Sequence, residues 1–273
     1  MVDVPSPQDW DLFREWARLE GWRVPARELA LYRQELADSA FVLRNGTGSP
    51  LGFVSVCRQQ RNAWIGNLLV DPKHRGQRYG RRLFEHAVAF LSARGVATLW
   101  LTASAGGRHL YESCGFCEVG RIERWVHRGG GATSSSPKRS GCGDLYALAR
   151  ADAAAWGYSR AELLTLLARG GQIFSANSTV ALLQPGDDLC VLGPWLSADL
   201  CPRANRTVLS LALEAATGCE EIALDVVGGS PATILLGAAG FHQAGETVMM
   251  MRGETGSVRL SEVVALASLG SMG

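Results

Sequence analysis

Hydrophobic spacing along the first 128 residues switches repeatedly between the helical period and the strand period. Apolar residues recur every three to four positions over Trp10–Leu19 and Ala26–Leu36, which predicts two amphipathic helices. Runs rich in β-branched and aromatic residues follow at Ala40–Arg44, Leu51–Arg58 and Ala63–Val70 and predict three strands. Pro72 ends the last of them. Gly80–Ala93 returns to the helical period, with Leu83, Ala87, Phe90 and Leu91 on one face and Gly95 as its stop. A buried strand is expected at Ala97–Thr102, a short helix from Arg108 to Cys114 that stops at Gly115, and a closing strand through Glu118–Val126. Helices alternating with strands around a mixed sheet make an α/β fold.

The second half repeats this pattern at offsets between 123 and 127 residues. Ile65-Gly66-Asn67-Leu68-Leu69 corresponds to Leu192-Gly193-Pro194-Trp195-Leu196, and the helix stop Gly95 to Gly218. Leu110–Phe116 corresponds to Leu235–Phe241, and Arg128-Gly129 to Arg252-Gly253. Between the copies, residues 129–143 are Gly- and Ser-rich and bury too little surface to order themselves, so they are expected to be a linker. The expected organisation is a first domain at 1–128, the linker at 129–143, a diverged second domain at 144–253 and a tail at 254–273.

Composition narrows the function classes. Hydrophobic content of 47%, charged content of 19% and a net charge of +1 describe a soluble globular protein with no overall bias toward nucleic acid or membrane. No apolar run approaches the roughly 20 residues of a membrane span, and Met1–Trp10 is unlike a signal peptide. A cytoplasmic location is expected. Seven cysteines at irregular spacing argue for reduced thiols. Cys114 and Cys117 form a C-x-x-C with no second pair at zinc spacing, so no metal site is expected.

The basic charge is local. Lys73, Arg75, Arg78, Arg81 and Arg82 fall within ten residues that contain no acid. They lie where a buried strand gives way to a glycine-containing loop that opens a helix. Such a loop turns several backbone N–H groups toward one point and adds the positive end of the helix dipole, which suits a pyrophosphate.

Two motifs give this region a resemblance to the GNAT superfamily of N-acetyltransferases. One is the strand followed by the family's acyl-CoA loop, here Val70-Asp71-Pro72 and then Arg75-Gly76-Gln77-Arg78-Tyr79-Gly80. The other is the family's Leu-Tyr-x-x-x-Gly-Phe, here Leu110–Phe116, about 30 residues further on. The likeness covers residues 40–128 well, and the tandem arrangement resembles two-domain bacterial members with a diverged second copy. It implies two GNAT-like domains, each a central mixed, mostly antiparallel sheet flanked by helices. It also implies acetyl-CoA as acyl donor, held by Leu68, Leu69, Val70, Arg75, Gly76, Gln77, Arg78, Tyr79, Gly80, Arg81 and Ser104. The sequence departs from the pattern at Arg78, where the motif usually has glycine, and at Ser104, where many members carry asparagine.

Acyl transfer from a thioester needs a polarised carbonyl, a neutral amine over it and a proton for the departing thiolate. The resemblance implies that the strand ending at Leu69 and Val70 splays from its neighbour and offers N–H groups to the carbonyl and the pantetheine arm. Tyr111 is the candidate general acid, and Asn67 is placed to orient an acceptor amine or a water. The expected reaction is direct acetyl transfer to an amine, a small molecule in preference to a protein; a homodimer remains open. The alternative is a non-catalytic acyl-CoA sensor or partner-binding module. Trp16, Trp22 and Tyr32 are candidate acceptor-lining aromatics. The second half has no glycine over residues 198–207 and carries Leu236 at the position of Tyr111, so a second acyl-CoA site is not expected.

Overall fold

The computed structural model describes residues 1–129, 144–186, 188–216, 218–254 and 256–273, so residues 130–143 of the expected linker lie outside the described residues. Its contacts divide the chain into two units. The first comprises Met1–Glu118, Met250–Glu254 and Gly270–Gly273; the second comprises Val119–Met249 and Thr255–Leu269.

The first unit runs β1 (Val2–Asp3), α1 (Pro7–Leu19), α2 (Ala26–Gln34), β2 (Ala40–Arg44), β3 (Pro50–Gln59), β4 (Asn62–Val70), α3 (Tyr79–Ser92), β5 (Thr98–Ala103) and α4 (Arg108–Glu112). Strands β1 to β4 pair antiparallel in sequence order, and β5 joins β4 in parallel. α1 starts where Ser6 and Asp9 form a reciprocal capping box with Pro7 in the first turn, and it buries Trp10, Phe13, Trp16 and Ala17. α3 ends as its spacing predicts, at Gly95 with φ 74°, where the Val96 N–H reaches back to the Leu91 carbonyl.

The two sheet faces carry different helices. Phe53 of β3 meets Phe13 and Trp16 of α1. Phe41 of β2 meets His86 and Phe90 of α3, and Gly52 of β3 lies under Leu83 of α3. Because side chains alternate along a strand, Ser55, Cys57 and Gln59 share the face of Phe53. Their cross-strand partners Gly66, Trp64 and Asn62 face the same way.

The second unit contains most of β6 (Cys117–Arg128), then α5 (Leu145–Trp156), α6 (Ala161–Ala168), β7 (Gln172–Ala176), β8 (Thr179–Gln184), β9 (Leu189–Ser197), α7 (Pro202–Ala215), β10 (Glu221–Val227), α8 (Ala232–Ala238), residues 242–249 of β11 (His242–Arg252) and β12 (Val263–Ala265). Phe174, Leu192, Trp195, Val208, Leu224, Leu236 and Phe241 pack into its core. The local geometry of the first unit recurs. β9 pairs in parallel with β10 only from Leu189–Val191 to Glu221–Ala223, as β4 does with β5 from Asn62–Trp64 to Thr98–Trp100. Here β12 bonds to both strands, with Ala265 opposite Trp195 and Val226.

Of the tail expected at 254–273, the described residues from 256 onward are built into the fold. Val263–Leu266 are buried, and Leu266 donates its N–H to the Asp225 carbonyl. The physical reason is non-local: a short apolar run gains strand structure only by completing a sheet made by distant residues. The closing strand β6, placed by sequence in the first domain, pairs with β10 inside the second unit, and the first unit contains residues 250–254 instead.

Candidate active site

β4 is irregular where the chemistry is expected. Its register with β3 runs Val70 to Gly52 and Leu69 to Phe53, then resumes at Gly66 to Ser55, so Asn67 and Leu68 together oppose Val54. This is a β-bulge. Asn67 sits there at φ 54°, in the left-handed region that asparagine tolerates better than most residues with a Cβ. Its side-chain amide donates to Ser55 Oγ at 3.0 Å. Asn67 thus shapes the strand, with its amide nitrogen committed to a neighbouring strand. The pairing of β4 with β5 stops at Trp64 and Trp100. Beyond that point, through Leu68, Leu69 and Val70, β4 has no ladder partner in β5.

The loop after β4 is held by Asp71. Its carboxylate accepts the Lys73 N–H at 3.0 Å and contacts His74 Nδ1 at 2.9 Å. Burial pushes the Asp71 carboxyl up, but the Lys73 N–H and His74 outweigh it and hold the group below the usual carboxylate range. Gly76 follows at φ 79° and Arg78 at φ 63°. Two left-handed residues flanking Gln77 reverse the chain onto the start of α3. No side chain caps that start and no acid lies in its first turn. The first helical donor is the Arg82 N–H, bonded to the Arg78 carbonyl at 3.1 Å, so the N–H groups of Arg78, Tyr79, Gly80 and Arg81 have no acceptor within the helix.

The predicted cations differ in what they do. Arg78 is exposed with no ion pair among the described residues. Arg75 instead pairs with Glu20 at 2.7 Å and donates from Nε to the Val70 carbonyl at 3.3 Å. Arg81 offers its main-chain N–H, while its guanidinium turns to Ser113 Oγ at 2.7 Å and to Glu85. At Gly80 a Cβ would meet only Val70 Cγ2 at 3.6 Å, an ordinary contact, so the fold itself does not require glycine there. At Gly76 the positive φ does.

Tyr111 lies on the α3 side, its ring 5.0 Å from Phe84 of α3 and 6.3 Å from Phe116. Burial pushes its phenol well above the ordinary tyrosine value, so it stays protonated through neutral and mildly alkaline pH. Ser104 is brought to it by a glycine. Ser104 Oγ accepts the Gly107 N–H at 3.3 Å, and a Cβ on Gly107 would lie 3.2 Å from Tyr111 Cε2.

Residues 9–116, which contain the cradle, the bulged strand and Tyr111, match the model of the acetyltransferase (GNAT) family. They form a GNAT acetyltransferase domain. The [ribosomal protein bS18]-alanine N-acetyltransferase of Escherichia coli strain K12 is 48% identical over 60 residues, which is 21% of this chain and 40% of that protein. The chain therefore spans two fifths of the length of the curated relatives of that name. A crystal structure from Pyrococcus horikoshii superposes with a TM-score of 0.77 at 18% identity, covering 98% of this chain and 94% of that one. A tandem GNAT protein from the clavulanic acid biosynthesis pathway, solved without AcCoA, gives a TM-score of 0.59 at 14% identity over 93% of this chain and 98% of that one. At these identities the two structures speak to the fold alone.

The GNAT domain fits an acyl-CoA by its own geometry. It presents a run of N–H groups free of side-chain caps at the start of α3, with an unpaired strand edge leading away from it. Of the aromatics proposed for the acceptor, Trp16 and Tyr32 are core residues. Trp22 lines an open groove of about 460 Å³ with Asp11, Arg14, Glu15, Arg18 and Val24. Sequence reading missed Glu28, Ser55 and Gln59, three buried polar residues on the α1 and α2 side of the GNAT domain. Ser55 and Gln59 carried a signal, since polar residues inside an apolar strand need partners.

Proposed function

We propose that the protein is an acetyl-CoA-dependent N-acetyltransferase whose GNAT domain moves the acetyl group directly to an amine. The observation that supports this best is the joint geometry of β4 and α3: the strand leaves its parallel neighbour where the left-handed loop aims main-chain N–H groups outward. In this reading Gly76 to Arg81 hold the pyrophosphate, and Leu68 to Val70 hold the pantetheine arm and polarise the thioester carbonyl.

Tyr111 acts as the hydrogen-bond donor to the departing thiolate. A phenol raised by burial is a reluctant acid, so its share is the modest one of a positioned donor, about 100- to 10,000-fold. Orientation of the two reactants supplies more, roughly 7–11 kcal/mol. Asn67 acts through the strand it bends, and Ser104 through the loop it ties beneath Tyr111. The amine gives up its proton to solvent, which needs no side-chain base.

We assign catalysis to the first unit and read the second as a diverged GNAT-like domain, with the reaction in the cytoplasm and a small amine as acceptor. Among the described residues no helix is long and apolar enough to cross a membrane. Acetyl-CoA titration by calorimetry tests the reading. One site per chain, weakened in Arg75→Glu and followed by release of free CoA only when an amine is added, is the expected result. Binding without release under any amine supplied marks a sensor, and no binding ends the proposal.

A further inference from the structure

In the first unit the outer edge of β2 is covered by β1. Val2 and Asp3 pair with Leu43 and Val42, and Arg44 at the end of β2 holds Asp3 and Asp9 in ion pairs. The second unit repeats the antiparallel run β2, β3, β4 as β7, β8, β9. Among the described residues it has no counterpart of β1: β7 is the terminal strand of its sheet, and no hydrogen bond reaches its outer edge.

The groups on that edge follow from the hairpin. β7 and β8 are joined by the two-residue turn Asn177-Ser178, so Ala176 and Thr179, which flank it, form a hydrogen-bonded pair. Alternation along the strand then directs the main-chain groups of Gln172, Phe174 and Ala176 to β8 and turns the N–H and C=O of Ile173 and Ser175 outward. Gly171 ends the row, because its N–H already bonds to the Ala168 carbonyl. Phe174, between the two outward residues, is buried in the core that includes Val208 and Leu209.

Edge strands are ordinarily kept from pairing by charge, proline, a bulge or brevity. β7 has none of these: residues 170–178 contain no charged residue and no proline, and the register with β8 is unbroken over five pairs. The edge is also its own complement. When a second β7 lies antiparallel beside the first with Phe174 opposite Phe174, Ile173 of each copy meets Ser175 of the other as a hydrogen-bonded pair. Four hydrogen bonds then satisfy every outward group of both strands, and the closely spaced central pair brings the two Phe174 rings together. A twofold axis sets like against like, and a neutral edge accepts that without repulsion.

We propose that β7 is a self-association edge, at which two copies of this chain join antiparallel about a twofold axis through Phe174 and continue the sheet of the second unit from one copy into the next. Such an isologous contact closes at the dimer. One strand edge is a small contact, so the dimer belongs to the weak, reversible class. Acyl transfer plays no part in this argument.

Sedimentation velocity on the full chain from about 1 to 300 μM should show monomer passing to dimer with a dissociation constant of about 10–100 μM. Monomer throughout that range overturns the proposal. Hydrogen exchange read by mass spectrometry at single-residue resolution then locates the contact. The Ile173 and Ser175 amides should be at least about threefold better protected at the dimeric end of the range than at the monomeric end, and the Phe174 amide, which faces β8, should change less. Equal protection at both ends overturns the proposal. If both amides are protected throughout, another part of the same chain already covers the edge; if both are open throughout, the copies meet elsewhere. Ser175→Pro removes one outward N–H per copy, a change that an edge strand tolerates where that group faces solvent. It should weaken association at least about tenfold while leaving the circular dichroism spectrum unchanged. Undiminished association in a folded variant overturns the proposal, and if the variant does not fold, the exchange measurement on the unaltered chain decides.

Discussion

Asn67 Nδ2 and Ser55 Oγ lie 3.0 Å apart, and this bond ties the left-handed residue of the β4 bulge to the middle of β3. A β-branched residue at position 67 would have to enter the left-handed region at a cost of about 1–2 kcal/mol and would leave the buried Ser55 hydroxyl short of a donor. Asn67→Val is therefore expected to lose about 2–4 kcal/mol of stability and to lose turnover beyond that. Asn67→Gly keeps the φ, loses the hydrogen bond, about 1 kcal/mol, and adds freedom to the unfolded chain, offset by relief of the left-handed strain. Urea denaturation and turnover on the two variants check the claim; equal behaviour would mean that the bulge does not depend on residue 67.

Arg78 poses the opposite question, because a long side chain occupies a left-handed position that the family gives to glycine. Arg78→Gly relieves about 1–2 kcal/mol of backbone strain but admits more freedom to the unfolded chain, about 0.5–1 kcal/mol. Stability should change by about 1 kcal/mol or less. Acetyl-CoA affinity should fall, and more at low salt than at high salt, if the exposed guanidinium meets a phosphate. Unchanged affinity at low salt would reduce Arg78 to a main-chain N–H donor.

How much of this was legible without coordinates varies by residue. The helix over 80–93, the loop before it and Tyr111 were readable because local spacing and glycine placement specify them. The departure at Arg78 was visible, but whether the backbone there is left-handed is a property of the folded loop. Asn67 read as a strand residue because a bulge is a relation between two strands. The stretch from 256 to 273 read as a tail for the same reason: Leu266 bonds to Asp225 and Ser271 to Glu28, partners far away in sequence.

Tyr111 should leave a signature in stability at high pH. Its folded value is raised by burial, whereas in the unfolded chain it ionises near about 10. Its contribution is fully present below that pH and is lost as pH rises toward the folded value. Wild type should therefore weaken above about pH 10 more steeply than Tyr111→Phe. Tyr32, also raised by burial, is present in both proteins and cancels in the comparison. Identical slopes would show that the ring is solvated in solution. In turnover, Tyr111→Phe should slow the chemical step by about 100-fold or more without introducing a new limb between pH 6 and 9.

The second unit should contribute no acyl-CoA site, for two separate reasons. The edge that β4 leaves open is closed on β9 by β12. The start of α7, the counterpart of the α3 cradle, is already served by a carboxylate: Asp199 accepts the Cys201 N–H at 3.1 Å and the Ser178 hydroxyl at 2.7 Å, which together hold it below the usual carboxylate range. A negative charge in that place repels a phosphate and satisfies a donor the phosphate would need. Leu200 adopts φ 52° beside it, so this loop, like the cradle, has a left-handed residue before its helix, but with a carboxylate next to it. Arg203→Glu, at the first turn of α7, is accordingly expected to leave acetyl-CoA affinity and a stoichiometry of one per chain unchanged, whereas Asp71→Ala, which unties the first cradle, should weaken binding about tenfold. A calorimetric stoichiometry near two, or loss of binding in Arg203→Glu, would show that the second unit carries a working site despite its carboxylate.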